Sequence, residues 1–90
     1  MGKASKEKVL YAVLDERKFQ DDKWGPIDEN PHDIGTWFLL IEAELNEVKS
    51  ALLKGGEGRN SVKSELIQVA ALCFAALEQH GLEDSKGRGL

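Results

Sequence analysis

The chain has 90 residues, which is enough for one small domain with a modest hydrophobic core. Its net charge of −4 and pI near 5.1 leave no basic face for a phosphate backbone, which argues against nucleic-acid binding. The net negative charge does not exclude binding of a small phosphorylated ligand, because a bound metal ion can reverse the local sign of charge. The single Cys73 excludes an internal disulfide, and its Ala and Leu neighbours predict a buried thiol. With no long apolar stretch and no apolar signal core in Met1–Lys8, the sequence predicts a cytoplasmic protein without a membrane partner.

The first predicted helix runs over about residues 5–23. Its apolar residues recur at helical spacing, and charged residues fill the opposite face; the apolar positions are Val9, Leu10, Val13 and Leu14. Ser5 is suited to cap the N-terminus, and Gly25-Pro26 ends the helix. Residues 27–29 are interpreted as a loop.

The second helix is predicted over residues 31–54 and the third over 61–80. Asn30 is the expected cap of the second helix, with Pro31 in the first turn, and Gly55-Gly56 ends it. Asn60 or Ser61 caps the third. Since the connection of residues 55–60 is short and rich in glycine, the two helices are expected to form an antiparallel hairpin. The predicted fold class is therefore all-α with three main helices.

The third helix is apolar on nearly every side between Leu66 and Leu77, with Gln68 as the exception. A helix of this kind is normally surrounded by protein. Because three helices in 90 residues can hardly cover it, we expect a partner chain, as a homodimer or a dimer of dimers that completes a helical bundle. Residues 1–82 are predicted to be a single domain, and the polar, Gly-containing residues 83–90 a disordered tail.

Acidic and amide side chains recur three residues apart on the second and third helices. Glu44 and Glu47 share one helix face, and Glu65 and Gln68 share another. Glu47 lies eight residues before Gly55 and Gln68 eight after Asn60, so both stand about 12 Å from the loop of the hairpin. Converging carboxylates are costly unless a cation lies between them. The pattern therefore favours a Mg²⁺ site, with Mn²⁺ as a second possible ion.

Each of these residues also has a purely structural interpretation. The acids can be solvated side chains of amphipathic helices, paired with Lys49 or Lys63. Trp24 is either an anchor of the loop or a stacking surface for a base, and His32 either a polar group near the helix cap or a phosphate contact. Lys23 and Arg17 are either solvated or in contact with a triphosphate.

Taken together, these segments resemble the MazG-like all-α nucleoside triphosphate pyrophosphohydrolases, in particular their small single-domain members. The resemblance covers roughly residues 9–82. The segments that carry it are Glu16-Arg17-Lys18-Phe19-Gln20-Asp21-Asp22-Lys23-Trp24-Gly25, His32-Asp33, Trp37, Glu44-Leu45-Asn46-Glu47-Val48 and Glu65-Leu66-Ile67-Gln68-Val69-Ala70-Ala71.

The family's metal motif is Glu-Glu-x-x-Glu followed by Glu-x-x-Asp on the next helix. Ala43 stands at the first Glu position, Glu44 and Glu47 match the next two, and Glu65 opens the second motif. Gln68 replaces the usual Asp, which removes one negative charge; a Gln carbonyl is a weaker Mg²⁺ ligand.

The resemblance implies Mg²⁺-dependent hydrolysis of a nucleoside triphosphate to the monophosphate and pyrophosphate, with a role in maintaining nucleotide pools. It implies Glu44, Glu47 and Glu65 as catalytic residues and as metal ligands, with Gln68 as a further ligand. The predicted substrate-binding residues are Gln20, Lys23, Trp24 and His32. Two alternatives remain: a relative that binds nucleotides with little turnover, and a non-enzymatic helical module whose third helix docks a partner protein.

Overall fold

The computed structural model describes residues 2–84, which fold into three α-helices and contain no β-strand. The helices are α1 (Lys6–Trp24), α2 (Ile34–Lys54) and α3 (Val62–His80). Two short 3₁₀ turns, Ile27–Glu29 and Gly58–Asn60, precede α2 and α3 respectively. The prediction of an all-α fold with three main helices is confirmed.

The helix ends follow capping chemistry, with one difference from the prediction. Ser5 caps α1 by accepting from the Lys8 amide at 3.1 Å, and Ser61 caps α3. The cap of α2 is Asp33, whose Oδ1 accepts from the Thr36 amide at 2.7 Å, so the helix begins at Ile34 rather than near residue 31. Asn30 was the wrong cap, because it ends the first 3₁₀ turn and its Nδ2 donates to the Trp24 carbonyl instead.

Small side chains let the helices approach closely. α2 and α3 pack against each other as an antiparallel hairpin, and α1 packs on α3. Ala71 and Ala75 of α3 are fully covered, and Ala51 and Val48 of α2 are buried as well. Trp37 is the largest of the buried side chains in this core.

Large apolar side chains remain on the surface of the single chain. On α2 and α3 they are Ile34, Phe38, Leu39, Leu40, Leu45, Leu52, Leu53, Leu66 and Leu77. Cys73 is exposed too, so its predicted burial does not occur within one chain. None of the helices among residues 2–84 combines the length and apolar character needed to cross a membrane.

The end of the chain is only partly described. Gly81 closes α3 with a φ of 81°, and a turn follows at Glu83 and Asp84. The rest of the predicted tail, residues 85–90, lies outside the described residues.

Replacing Asp33 by Ala should lower the free energy of unfolding, because the Thr36 amide loses its capping acceptor. Denaturant unfolding followed by circular dichroism measures the change. Asp33→Ser, which keeps a side-chain acceptor, should restore most of the loss. Equal destabilisation by Ala and Ser would show that the cap is not the reason.

Candidate metal and nucleotide site

A cavity of about 650 Å³ opens between α1, the residues that lead into α2, and the facing sides of α2 and α3. Its apolar wall includes Trp24, Ile27, Trp37, Leu40 and Leu72. Its polar lining is formed by Arg17, Gln20, Asp21, Asn30, His32, Glu44 and Glu47. The volume and the mixture of aromatic and polar groups are typical of a small-molecule site.

Two predicted ligands, Glu44 of α2 and Glu65 of α3, meet across the hairpin. Glu65 is 5% exposed, and its carboxyl group lies close enough to that of Glu44 to perturb it. Burial raises the pKa of Glu44 to about 7, and the neighbouring carboxyl group of Glu65 and the negative charges of Glu65, Glu47 and Glu16 add to the effect. Two carboxyl groups in such contact share a proton or need a cation.

The donor chemistry of this pair fits a hard divalent cation. Oε2 of Glu44 is buried and has no hydrogen-bond partner, so one carboxylate oxygen is available for a ligand. Glu47 is exposed on the same cavity wall, one helical turn away. As the side chains stand in residues 2–84, no three acidic, His or Cys groups are close enough to hold an ion. Glu44 and Glu65 would therefore be the first two ligands, and Glu47 would have to turn toward them.

Gln68 is engaged elsewhere. Its Nε2 donates to the Arg59 carbonyl at 2.9 Å. The side chain lines a second, smaller cavity of about 320 Å³ together with Glu16, Phe19 and Arg59. The amide that was expected to complete the metal site thus holds the loop between α2 and α3.

Three of the four predicted substrate-binding residues line the large cavity. These are Gln20, Trp24 and His32. Trp24 is 55% exposed, so it is not a core anchor, and its ring is available for stacking. Lys23 does not line the cavity; its Nζ lies 4.7 Å from the centroid of the Trp24 ring and 6.0 Å from that of Phe19.

Arg17 is a residue whose environment the sequence did not indicate. It is only 5% exposed and lies against the cavity. Its guanidinium donates to Glu78 at 2.6 Å, to Asp21 at 2.9 Å and to Gln20 at 3.2 Å. The spacing of four between Arg17 and Asp21 was a usable signal, whereas Glu78 lies 61 residues away and no local pattern marks it.

Gln79 is a second residue whose environment the sequence did not indicate. Its Oε1 accepts from the His32 amide at 3.0 Å and from the Trp37 indole at 2.8 Å, and its Nε2 donates to the His32 carbonyl. The His32 ring packs edge-on against Trp37, with the centroids 5.0 Å apart. One side chain of α3 therefore fixes two residues of the cavity wall, over sequence separations of 42 and 47 that no local pattern marks.

Comparisons of the chain with protein families, with curated proteins and with solved structures found no match. Membership of the MazG-like family stays a prediction from the motifs.

The raised pKa of Glu44 predicts a distinctive pH dependence of stability. Because the folded state holds a proton up to about pH 7 and an unfolded Glu releases it near its ordinary pKa of 4.5, metal-free stability should fall as pH rises between these values. Glu44→Gln should remove this loss, so the variant should melt at a higher temperature than wild type at pH 8, with a smaller gap at pH 5.

Thermal melts at both pH values, without divalent cations, measure the effect. Glu42→Gln is the matched control, because Glu42 is exposed on the same helix. An equal gain at pH 8 from both variants would point to net charge rather than to the Glu44–Glu65 contact.

Proposed function

We propose that the protein is a Mg²⁺-dependent nucleoside triphosphate pyrophosphohydrolase that acts in the cytoplasm on standard or aberrant nucleotides. The observation that carries the proposal is the paired carboxyl groups of Glu44 and Glu65, with one buried oxygen lacking a partner, where Glu44 lines a cavity with aromatic walls. The family resemblance of the motifs supports the same activity.

Hydrolysis breaks the bridge between the α- and β-phosphates: a water oxygen bonds to one of the two phosphorus atoms, and the monophosphate and pyrophosphate are released. Mg²⁺, or Mn²⁺ in its place, would neutralise phosphate charge and lower the pKa of the attacking water. Glu44 and Glu65 would hold the ion, with Glu47 as the third carboxylate. Without a metal ion the pKa of Glu44 is about 7, so its carboxyl group still holds a proton near neutral pH. Metal binding would displace that proton and should tighten as pH rises.

The remaining cavity wall offers contacts for the nucleoside. The exposed Trp24 ring provides a face for stacking, and Gln20 and His32 contribute polar groups. Arg17 lies against the same space, but three acceptors already occupy its guanidinium. We therefore assign Arg17 to holding Gln20 and Asp21 in place rather than to direct phosphate binding. Lys23 stays a candidate phosphate contact only if its side chain leaves the Trp24 ring.

A nucleotide-binding protein with little turnover is the second candidate. It is favoured by Gln68, whose amide is bonded to the Arg59 carbonyl, and by the absence of three grouped ligands within residues 2–84. A non-enzymatic interaction module stays the third possibility. It would leave the Glu44–Glu65 contact without a role.

Pyrophosphate release over a panel of ribo- and deoxynucleoside triphosphates, with and without Mg²⁺, tests the activity. Glu44→Gln and Glu65→Gln should each lower kcat/KM on the order of 100-fold, because each removes a metal ligand and the partner of a buried carboxyl group. Glu42→Gln should leave it unchanged. Nucleotide binding without any release of pyrophosphate would favour the second candidate, and neither binding nor release would favour the third.

We further propose that two copies of the chain, as a homodimer or within a dimer of dimers, cover the exposed apolar side chains of α2 and α3. Leu45, Leu52, Leu66 and Leu77 are among those left exposed on the single chain. Apolar surface of this extent on a small domain is typical of an interface.

Substitutions at Ala70 and Ala76 of α3 test assembly and folding separately. Ala70 is exposed in the single chain and Ala76 is buried. Ala70→Asp should therefore give a folded but dissociated chain, whereas Ala76→Asp should unfold it by burying an unpaired charge. Light scattering at micromolar concentration, together with circular dichroism, measures both effects. A wild-type monomer under these conditions would contradict the proposal.

A further inference from the structure

Glu16 of α1 is a fourth carboxylate beside the Glu44–Glu65 pair. It is buried, and its negative charge is one of those that raise the pKa of Glu44. Its two oxygens accept from the Arg59 guanidinium, Oε1 at 3.2 Å and Oε2 at 3.0 Å. Such a two-pronged contact fixes the carboxylate in orientation as well as in position.

Arg59 is held over Glu16 by three separate contacts. Besides the bonds to Glu16, its guanidinium carbon lies 4.0 Å from the centroid of the Phe19 ring. Its backbone carbonyl accepts from Gln68 Nε2 at 2.9 Å, which anchors the 3₁₀ turn that carries the residue. Gln68 occupies the position at which the family motif has Asp. An ionised Asp has no hydrogen to donate to a carbonyl, so it could not form this bond.

Arg59 also interacts electrostatically with Glu44 and Glu65. The hydrogen bonds to Glu16 raise the pKa of Arg59, and the charges of Glu16, Glu65 and Glu44 raise it further. The Arg59 side chain is 52% exposed, whereas that of Glu16 is 9% exposed. Water can therefore solvate a displaced guanidinium, while the carboxylate that it leaves would stay buried and would need another cation.

We propose that Arg59 is a positioning residue of the acidic site, which fixes Glu16 and serves as the internal cation of the carboxylate group until a divalent ion competes with it. The inference rests on the proposed function, because it assigns the same carboxylates to a metal. It gives Gln68 a role that its type explains: the amide secures the turn that presents Arg59 to the acids.

Mn²⁺ titration by calorimetry and metal-free thermal melts test the inference on the full chain. Arg59→Gln should bind Mn²⁺ more tightly than wild type, on the order of fivefold, because the competing charge is lost. Its metal-free melting temperature should fall, because Glu16 loses its partner. Adding Glu16→Gln to Arg59→Gln should cancel the gain in affinity. Lys63→Gln, which removes the same charge from an exposed site on α3, should change neither quantity.

Arg59→Lys provides a second variant if Arg59→Gln does not fold. A lysine keeps the charge but cannot hold both oxygens of Glu16, so Mn²⁺ should again bind more tightly than in wild type, by less than in Arg59→Gln. Mn²⁺ binding by wild type with equal or weaker binding by the folded Arg59 variants would overturn this inference alone. Absence of Mn²⁺ binding to wild type would overturn the proposed function and this inference together.

Discussion

The contact between α2 and α3 brings the carboxyl groups of Glu44 and Glu65 together, and the electrostatics of the site follow from that contact. Fully covered alanines at positions 71 and 75 leave the helices little room to separate. Two features reduce the resulting repulsion. Glu44 has a pKa of about 7, so it holds a proton below that pH, and the Arg59 guanidinium donates hydrogen bonds to the neighbouring Glu16. A third, a divalent ion, is the one that would make the arrangement useful for phosphate chemistry.

Much of the fold follows from short-range patterns in the sequence. Apolar spacing defined the three helices, and Gly25, Gly55 and Gly81 end them. The meeting of Glu44 and Glu65 was also predictable, because counting residues from the loop of a hairpin gives the height of each side chain along its helix. The same counting places Glu47 on the side of α2 that carries Glu44, but it does not fix the direction of an exposed side chain.

The contacts that the sequence did not indicate all join distant residues. Arg17 binds Glu78, Arg59 binds Glu16, and both pairs depend on how α1 lies on the hairpin. Nothing in the spacing within one helix specifies that arrangement. The contact of Gln68 was not predictable for a related reason: its partner is a backbone carbonyl of the loop, which carries no residue-type signal. The predicted cap of α2 was wrong because the first 3₁₀ turn ends at Asn30, and the local sequence does not indicate that α2 begins only after this turn.

The three hydrogen bonds of Gln79 have a consequence for how a ligand enters and leaves. They attach the backbone of His32 and the indole of Trp37 to α3, so this side of the cavity moves with the helix as one body. The opposite behaviour is expected near Trp24, which is largely exposed at the end of α1 and is followed by Gly25 with a φ of 90°. Rotation of that exposed indole would change the shape of the cavity without moving a helix. Under the proposed function, the residence time of a bound nucleotide should therefore depend on Trp24 more than on His32.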